Sequence, residues 1–314
     1  MYQRVESSSA CFAEPFRSAS RRPISILAAV AACSVACTGE VPLGSFGEES
    51  GAKGGGGGTP ECLAPGEPGP VSPAGSAISV TVPYTDWNVP TPFDSIEIEV
   101  RLETETVTDG FVFAHEVPFA AGPVVLLTFQ SLGGYQADPP GGPVVLTKMA
   151  QFWISGPPLA AELGDIPYPD ARTYLTMEVR GEWWSINARY DWELCRPYRL
   201  RLAALSAGTG GSTWYGAWVI DVENATETLL GRMLVPDAWG GLTSPTSTWS
   251  NRIGWSSLTS CGDVEPVSVL FGAPTVADGA ATLAGHRFGA LPACPNTRIE
   301  DFDTAVRQRI GGPP

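Results

Sequence analysis

Between Ile96 and Glu103 apolar and charged residues alternate without a fault. Ile96, Ile98, Val100 and Leu102 fall on one side, and Glu97, Glu99, Arg101 and Glu103 on the other. A period of two is the mark of a strand with one face buried and one face wet. Tyr198-Arg199-Leu200-Arg201-Leu202 follows the same rule, with its arginines outside. Segments rich in β-branched and aromatic residues predict further strands over 77–82, 111–117, 124–129, 144–154, 173–179, 183–188, 214–222, 228–235 and 267–271. Gly133-Gly134, the Pro139-Pro140-Gly141-Gly142 run, Gly208 to Gly211 and Gly240-Gly241 read as turns between them. Residues 304–310 fit either a short helix or a last strand. Many strands with few helical patterns predict an all-β chain, folded as an antiparallel two-sheet sandwich of the jelly-roll (concanavalin-like) kind. No internal repeat is present.

The amino-terminal part follows different rules. Arg21 and Arg22 precede the apolar run Ile24 to Ala32, which ends in small residues. That order predicts a secretory signal over residues 1–36. The run falls short of the roughly 20 apolar residues that a spanning helix needs. Cys33 and Cys37 each follow small residues in the manner of a bacterial lipobox, and Cys37 is the expected lipid-bearing residue, with Cys33 as the alternative. Residues 37–75 hold the glycine run Gly54 to Gly58 and then Pro60, Pro65, Pro68, Pro70 and Pro73. Such a segment cannot bury enough apolar area to offset its ordering entropy, so it predicts a flexible tether. Residues 76–314 form the single expected sandwich domain. The expected location is beyond the inner membrane, with the membrane contacted through the amino-terminal lipid and the domain itself a monomer.

Charge narrows the chemistry. The 314 residues carry 19 Lys+Arg against 33 Asp+Glu, a formal net charge of −14. This argues against nucleic acid as a partner, because phosphate binding needs clustered cations. His115 and His286 are the two histidines, and Lys53 and Lys148 the two lysines. His115 lies in a strand-like apolar run and reads as a satisfied or edge side chain. His286 lies in a loop-like stretch and reads as solvated. No Gly-x-Ser-x-Gly elbow is present. No cofactor and no metal is expected, since the cysteines form no CxxC pair and have no histidine triplet beside them. Cys62, Cys195, Cys261 and Cys294 remain for an oxidising compartment, and four cysteines permit three pairings. The expected pairs are Cys62–Cys195 and Cys261–Cys294.

Acid pairs at alternating positions are the one catalytic pattern on offer. Glu97/Glu99 and Glu103/Glu105 sit on the polar side of an amphipathic strand. Asp191 with Glu193 and Asp221 with Glu223 are the pairs that could serve a glycoside hydrolase or a polysaccharide lyase, or hold calcium. Asn224-Ala225-Thr226 matches a glycosylation sequon but reads first as a hairpin turn. Tryptophan is the richer signal, with nine of the ten at or beyond Trp153. Most must fill the core. Trp183 and Trp184 are neighbours, so alternation points one of them away from it.

Phe129 to Gln136, with its Gly133-Gly134-Tyr135-Gln136, followed by Gln151-Phe152-Trp153-Ile154-Ser155, resembles a "GGY-x-x-Q … FSxW" strand pair. Tyr190-Asp191-Trp192, Tyr198 to Leu202, Trp214 to Asp221, Gly231, Val235-Pro236, Trp239 to Leu242, Cys261, Phe271-Gly272 and Arg307-Gln308 with Gly311 continue the pattern in order. Together, over roughly 110–311, they resemble a family of secreted bacterial β-rich, lectin-like proteins catalogued as a domain of unknown function. The resemblance implies a β-rich fold and transfers no catalytic residue. Cys195 stands where that pattern has a turn glycine, and Pro139-Pro140 enlarges a hairpin. The expectation is a non-catalytic domain that binds a glycan or other envelope polymer. Tyr135, Trp153, Trp192, Tyr215 and Trp218 would stack on sugar rings, and Gln136 would hydrogen-bond their hydroxyls. A purely structural or protein-binding lipoprotein is the other alternative.

Overall fold

The computed structural model describes residues 61–62, 82–104, 106, 110–136, 144–167, 170–178, 181–253, 261–289 and 296–312. The signal segment 1–36, Cys33, Cys37, most of the tether and Cys294 lie outside the described residues. The sandwich belongs to one compact unit, Gly57–Pro314.

Strands are numbered in chain order. One sheet of eight runs from edge to edge through β16 (Thr282–Gly289), β1 (Val82–Asn88), β12 (Thr246–Arg252), β3 (Phe111–Pro118), β4 (Val124–Gln136), β5 (Val144–Ser155), β8 (Gly181–Arg189) and β7 (Ala171–Glu178). The ten-stranded sheet runs through β17 (Arg298–Phe302), β18 (Ala305–Ile310), β13 (Val267–Gly272), β2 (Ser95–Leu102), β9 (Pro197–Ala207), β10 (Ser212–Asp221), β11 (Thr226–Pro236) and β6 (Ala160–Leu163). Two short strands, β14 (Thr275–Val276) and β15 (Gly279–Ala280), attach to β2. Every named pairing is antiparallel. The chain is thus an all-β, two-sheet sandwich of jelly-roll type.

The faultless alternation of β2 does what it predicts. Ile96, Ile98, Val100 and Leu102 are buried against the other sheet, while Glu97 and Glu99 stay on the outer face. Phe111, Phe113, Phe129, Phe152, Ile154 and Ile186 fill the facing side. At Gly231 the two sheets come close enough that an added Cβ would lie 2.5 Å from Ile186 Cδ1. Trp184 packs on the core and its neighbour Trp183 turns to the outer face, as alternation requires.

Three expectations need correction. Gly133-Gly134 is no turn but lies inside β4, at a register shift where Leu132 takes φ 50°. His286 is no loop residue: it sits on β16, with Nε2 2.8 Å from Asp301 of β17, so it links an edge of each sheet. His115 is fully buried on the inner side of β3, and among the described residues neither ring nitrogen has a hydrogen-bond partner. Its surroundings are a polar island inside the core. The Gln308 amide of β18 donates to Thr85 Oγ1 at 3.2 Å and to the Thr248 carbonyl at 3.1 Å, and accepts from Ser250 Oγ at 2.8 Å. Burial holds the His115 imidazole down at about 3, so it is neutral in the fold.

Residues 61 and 62 are fastened to the sandwich. Cys62 is bonded to Cys195, as expected. Cys195 has φ 64°, in the left-handed region that favours glycine. Beside it, on the outer face of the ten-stranded sheet, Glu103 is completely buried. It accepts from Arg307 Nε at 2.8 Å and Nη2 at 3.0 Å, from Arg101 at 3.3 Å and from Ser268 Oγ at 2.6 Å. Arg307 also donates to the Glu61 carbonyl at 2.9 Å. Cys261 is disulfide-bonded too, and Cys294, its expected partner, lies outside the described residues.

Candidate functional site

The residues expected to line one surface lie in different places. Trp153, on β5, is half-buried on the outer face of the eight-stranded sheet. Trp218 lies on the outer face of the opposite sheet, under the Arg201 guanidinium at 4.6 Å. Trp192 is 0% exposed: it fills the core beside Phe129 and Lys148, so its ring has no face for a ligand. Tyr215 points inward, edge-on to Phe119 at 5.2 Å. It borders a shallow cavity of about 240 Å³ with Thr213, Val235, Pro236, Asp237 and Gly240-Gly241. Tyr135 and Gln136 belong to β4, and their side chains lie outside the described residues. Trp153 and Trp218 are separated by the full thickness of the sandwich, so no one ligand surface can hold both.

The members of the expected acid pairs lie in different settings. Asp221 accepts the backbone N–H groups of Glu223 and Asn224 and the Arg196 guanidinium, and so closes the β10–β11 hairpin at the predicted turn. Glu193 is exposed and pairs with the same arginine, while Asp191 is exposed.

Around Trp153 the register builds a surface that the sequence did not reveal. Residues facing one another across successive strands form a continuous row over all eight: Arg287, Tyr84, Trp249, Ala114, Thr128, Gln151, Asn187 and Arg172. A second row, two residues along, carries Asp86, Ser247, Glu116, Leu126, Trp153 and Ser185. These positions alternate with the core residues, so they form the outer face. At 4.7–4.9 Å per strand, eight strands give a band about 33 Å long.

Two kinds of chemistry share the band. Toward β7 a chain of hydrogen bonds fixes the amides: Thr128 Oγ1 donates to Gln151 at 2.9 Å, Gln151 to Asn187 at 2.5 Å, and Asn187 to Ser185 at 2.7 Å. All four of these side chains are buried. Toward β16 aromatic and charged groups meet. The Arg287 guanidinium lies 3.8 Å over the Tyr84 ring, and Tyr84 is tilted against Trp249 at 6.2 Å. The Trp249 indole donates to Glu116 Oε2 at 3.3 Å. Asp86 accepts from Ser247 Oγ and from Arg287 Nε at 3.1 Å. Burial raises the Tyr84 phenol; Glu116 and Asp86 both add to that rise, and Arg287 opposes it. The tyrosine therefore lies within the field of both carboxylates.

No family model matches the chain, and no curated protein matches it. Solved structures do. A crystal structure of scytalido-glutamic peptidase with a transition-state analogue inhibitor aligns over 73% of this chain and 97% of that one, at 10% identity and a TM-score of 0.40. A second, with a peptide-based transition-state analogue, has the same coverage and identity and a TM-score of 0.37. At these values the likeness bears on no residue of this chain.

Proposed function

We propose that the protein is an exported, lipid-anchored envelope protein whose sandwich binds a polysaccharide along the outer face of the eight-stranded sheet. The observation that carries this reading is the unbroken pair of cross-strand rows, with half-buried tryptophans set among fixed amides, hydroxyls and carboxylates. Sugar rings offer an apolar face for stacking and an equatorial fringe of hydroxyls. Trp153 and Trp249 supply the first contact, and the partly exposed Asp86, Glu116 and Arg287 the second. Thr128, Gln151, Ser185 and Asn187 are buried, and their hydrogen bonds stiffen the sheet under that surface. A band about 33 Å long suits the interior of a polymer better than a single terminal sugar. The Cys62–Cys195 bond agrees with an oxidising compartment.

Retention on cellulose, xylan, chitin and peptidoglycan tests the binding. Trp153→Ala and Trp249→Ala are each expected to weaken retention about tenfold, close to the value of one aromatic contact. Trp218→Ala, on the opposite sheet, is expected to leave it unchanged. Retention that depends on Trp218, or on none of the three, would remove the proposed face. Incorporation of radiolabelled palmitate, lost in Cys37→Ser, tests the anchor.

A further inference from the structure

The shallow cavity bordered by Tyr215 lies where β11 leaves the ten-stranded sheet for β12, away from the outer face of the eight-stranded sheet. Its volume of about 240 Å³ is below the roughly 300–1,000 Å³ of a drug-sized site, so it suits a body of a few heavy atoms. Tyr215 is 5% exposed and yet forms part of the cavity wall. Phe119 packs edge-on against its ring. Among the described residues its hydroxyl has no hydrogen-bond partner. A polar group taken out of water and left unpaired costs free energy, so this hydroxyl needs a partner from outside the chain.

Two carboxylates act on the same phenol. Asp237 is in the cavity wall and accepts from Thr213 Oγ1 at 2.8 Å. Asp94 is brought to this end by the bridge from its neighbour Phe93 to Leu242, the residue after Gly240-Gly241. Burial raises the Tyr215 phenol, and Asp94 and Asp237 both add to the rise, so it stays protonated within the field of both. Among the described residues no cation pairs with Asp94 or Asp237.

We infer that this cavity binds a primary ammonium group carried on a small organic body. An ammonium has three N–H donors and no acceptor. The Asp237 carboxylate accepts one and the Tyr215 oxygen a second, while Asp94 adds its field. Val235 and Pro236 give an apolar wall for the carbon part. At Gly241 an added Cβ would meet nothing within 4 Å, so the wall stands open there for entry. Other ligand classes fit less well. A neutral hydroxyl leaves both charges unanswered, and an anion is repelled by them. A quaternary ammonium is held by several aromatic faces, and Tyr215 is the aromatic residue of this wall. A hard metal ion needs more oxygen ligands, and among the described residues no three of His, Cys, Asp and Glu group closely enough to hold one. An alkylamine and an amino sugar carry the same group. The inference does not rest on the polysaccharide reading, since it uses a different part of the sandwich.

Calorimetric titration of the full chain tests it, with butylamine and glucosamine for the two sources of the amine. At least one is expected to bind one to one. Its neutral counterpart, butanol or N-acetylglucosamine, should bind at least about tenfold more weakly, because the hydrogen bonds to charge are lost. Tyr215→Phe keeps the ring against Phe119 and removes the hydroxyl. Asp237→Asn keeps the shape of an exposed side chain and removes its charge. Each is expected to weaken the amine about tenfold, and Trp218→Ala to leave it unchanged. Failure of both amines to bind overturns the site. So does equal binding of the neutral counterparts, or binding that survives both Tyr215→Phe and Asp237→Asn. Tetramethylammonium or calcium binding in place of the amines also overturns it. Polysaccharide retention, measured on the same preparation, reads the outer face, so either reading can fail while the other stands.

Discussion

The Lys148 ammonium lies 4.3 Å from the centre of the Trp192 ring and donates at 2.9 Å to the carbonyl oxygen of the same tryptophan. It thus clamps one residue by its face and by its backbone. Phe129, Tyr190 and Tyr198 close the rest of the cluster, with centroids 5.6–6.3 Å from Phe129.

Trp192→Ala removes a fully buried tryptophan, and the expected cost is about 3–5 kcal/mol of stability. Urea unfolding measures it. Retention on polysaccharide at a temperature where the variant is folded is expected to be unchanged. Specific loss of retention would return Trp192 to the ligand surface.

His115 makes the fold sensitive to acid. In the unfolded chain its imidazole takes up a proton near pH 6.5. In the fold burial holds it down at about 3. Between these values the unfolded state binds the extra proton, so stability falls as pH drops through that window. From pH 7 to pH 5 the expected loss from this residue is about 2 kcal/mol. Urea midpoints at the two pH values, for the unaltered chain and for His115→Leu, measure the difference. An equal loss in both would show that the imidazole is not the source.

Glu103 is the hub of a buried ion network with Arg101 and Arg307. Glu103→Ala leaves both guanidinium groups without its charge and is expected to cost about 3–5 kcal/mol. Glu103→Leu with Arg307→Met, which removes charge from both sides, should recover part of that loss. Thermal unfolding of the single and double variants decides it.

The Cys62–Cys195 bond closes a sequence separation of 133 residues. Cys195→Ser is expected to lower stability by about 2–4 kcal/mol. It should also free Glu61 from Arg307, which limited proteolysis near residue 61 would report. No new cleavage there would mean that the ion network alone holds the tether end.

How far the sequence reaches is clear from two strands. In β2 every apolar residue is buried as the alternation predicts, but Arg101 and the following Glu103, read as part of the polar face, are buried too, in the ion network with Arg307 that the sequence does not show. In β12 the inward side chains are Thr246, Thr248 and Ser250, and the outward ones include Trp249. That is the reverse of an amphipathic strand, because the core there is the polar island around Gln308. Period-two reading therefore passed over β12, and with it the register that brings Trp249 beside Glu116. β16 was hidden for a related reason: it is an edge strand with Leu283 and Phe288 exposed. The acid pairs read along single strands lead to a hairpin turn closed by Asp221 and to exposed Asp191 and Glu193.

The clasp at Glu61 and Cys62 sets the direction from which the domain is held. It lies on the back of the ten-stranded sheet, and the two rows lie on the front of the other. Whatever surface retains the amino-terminal segment therefore grips the sandwich from behind. A pull on the chain ahead of Glu61 loads the disulfide and the Glu103 network first, and leaves the cross-strand rows out of the path of the force.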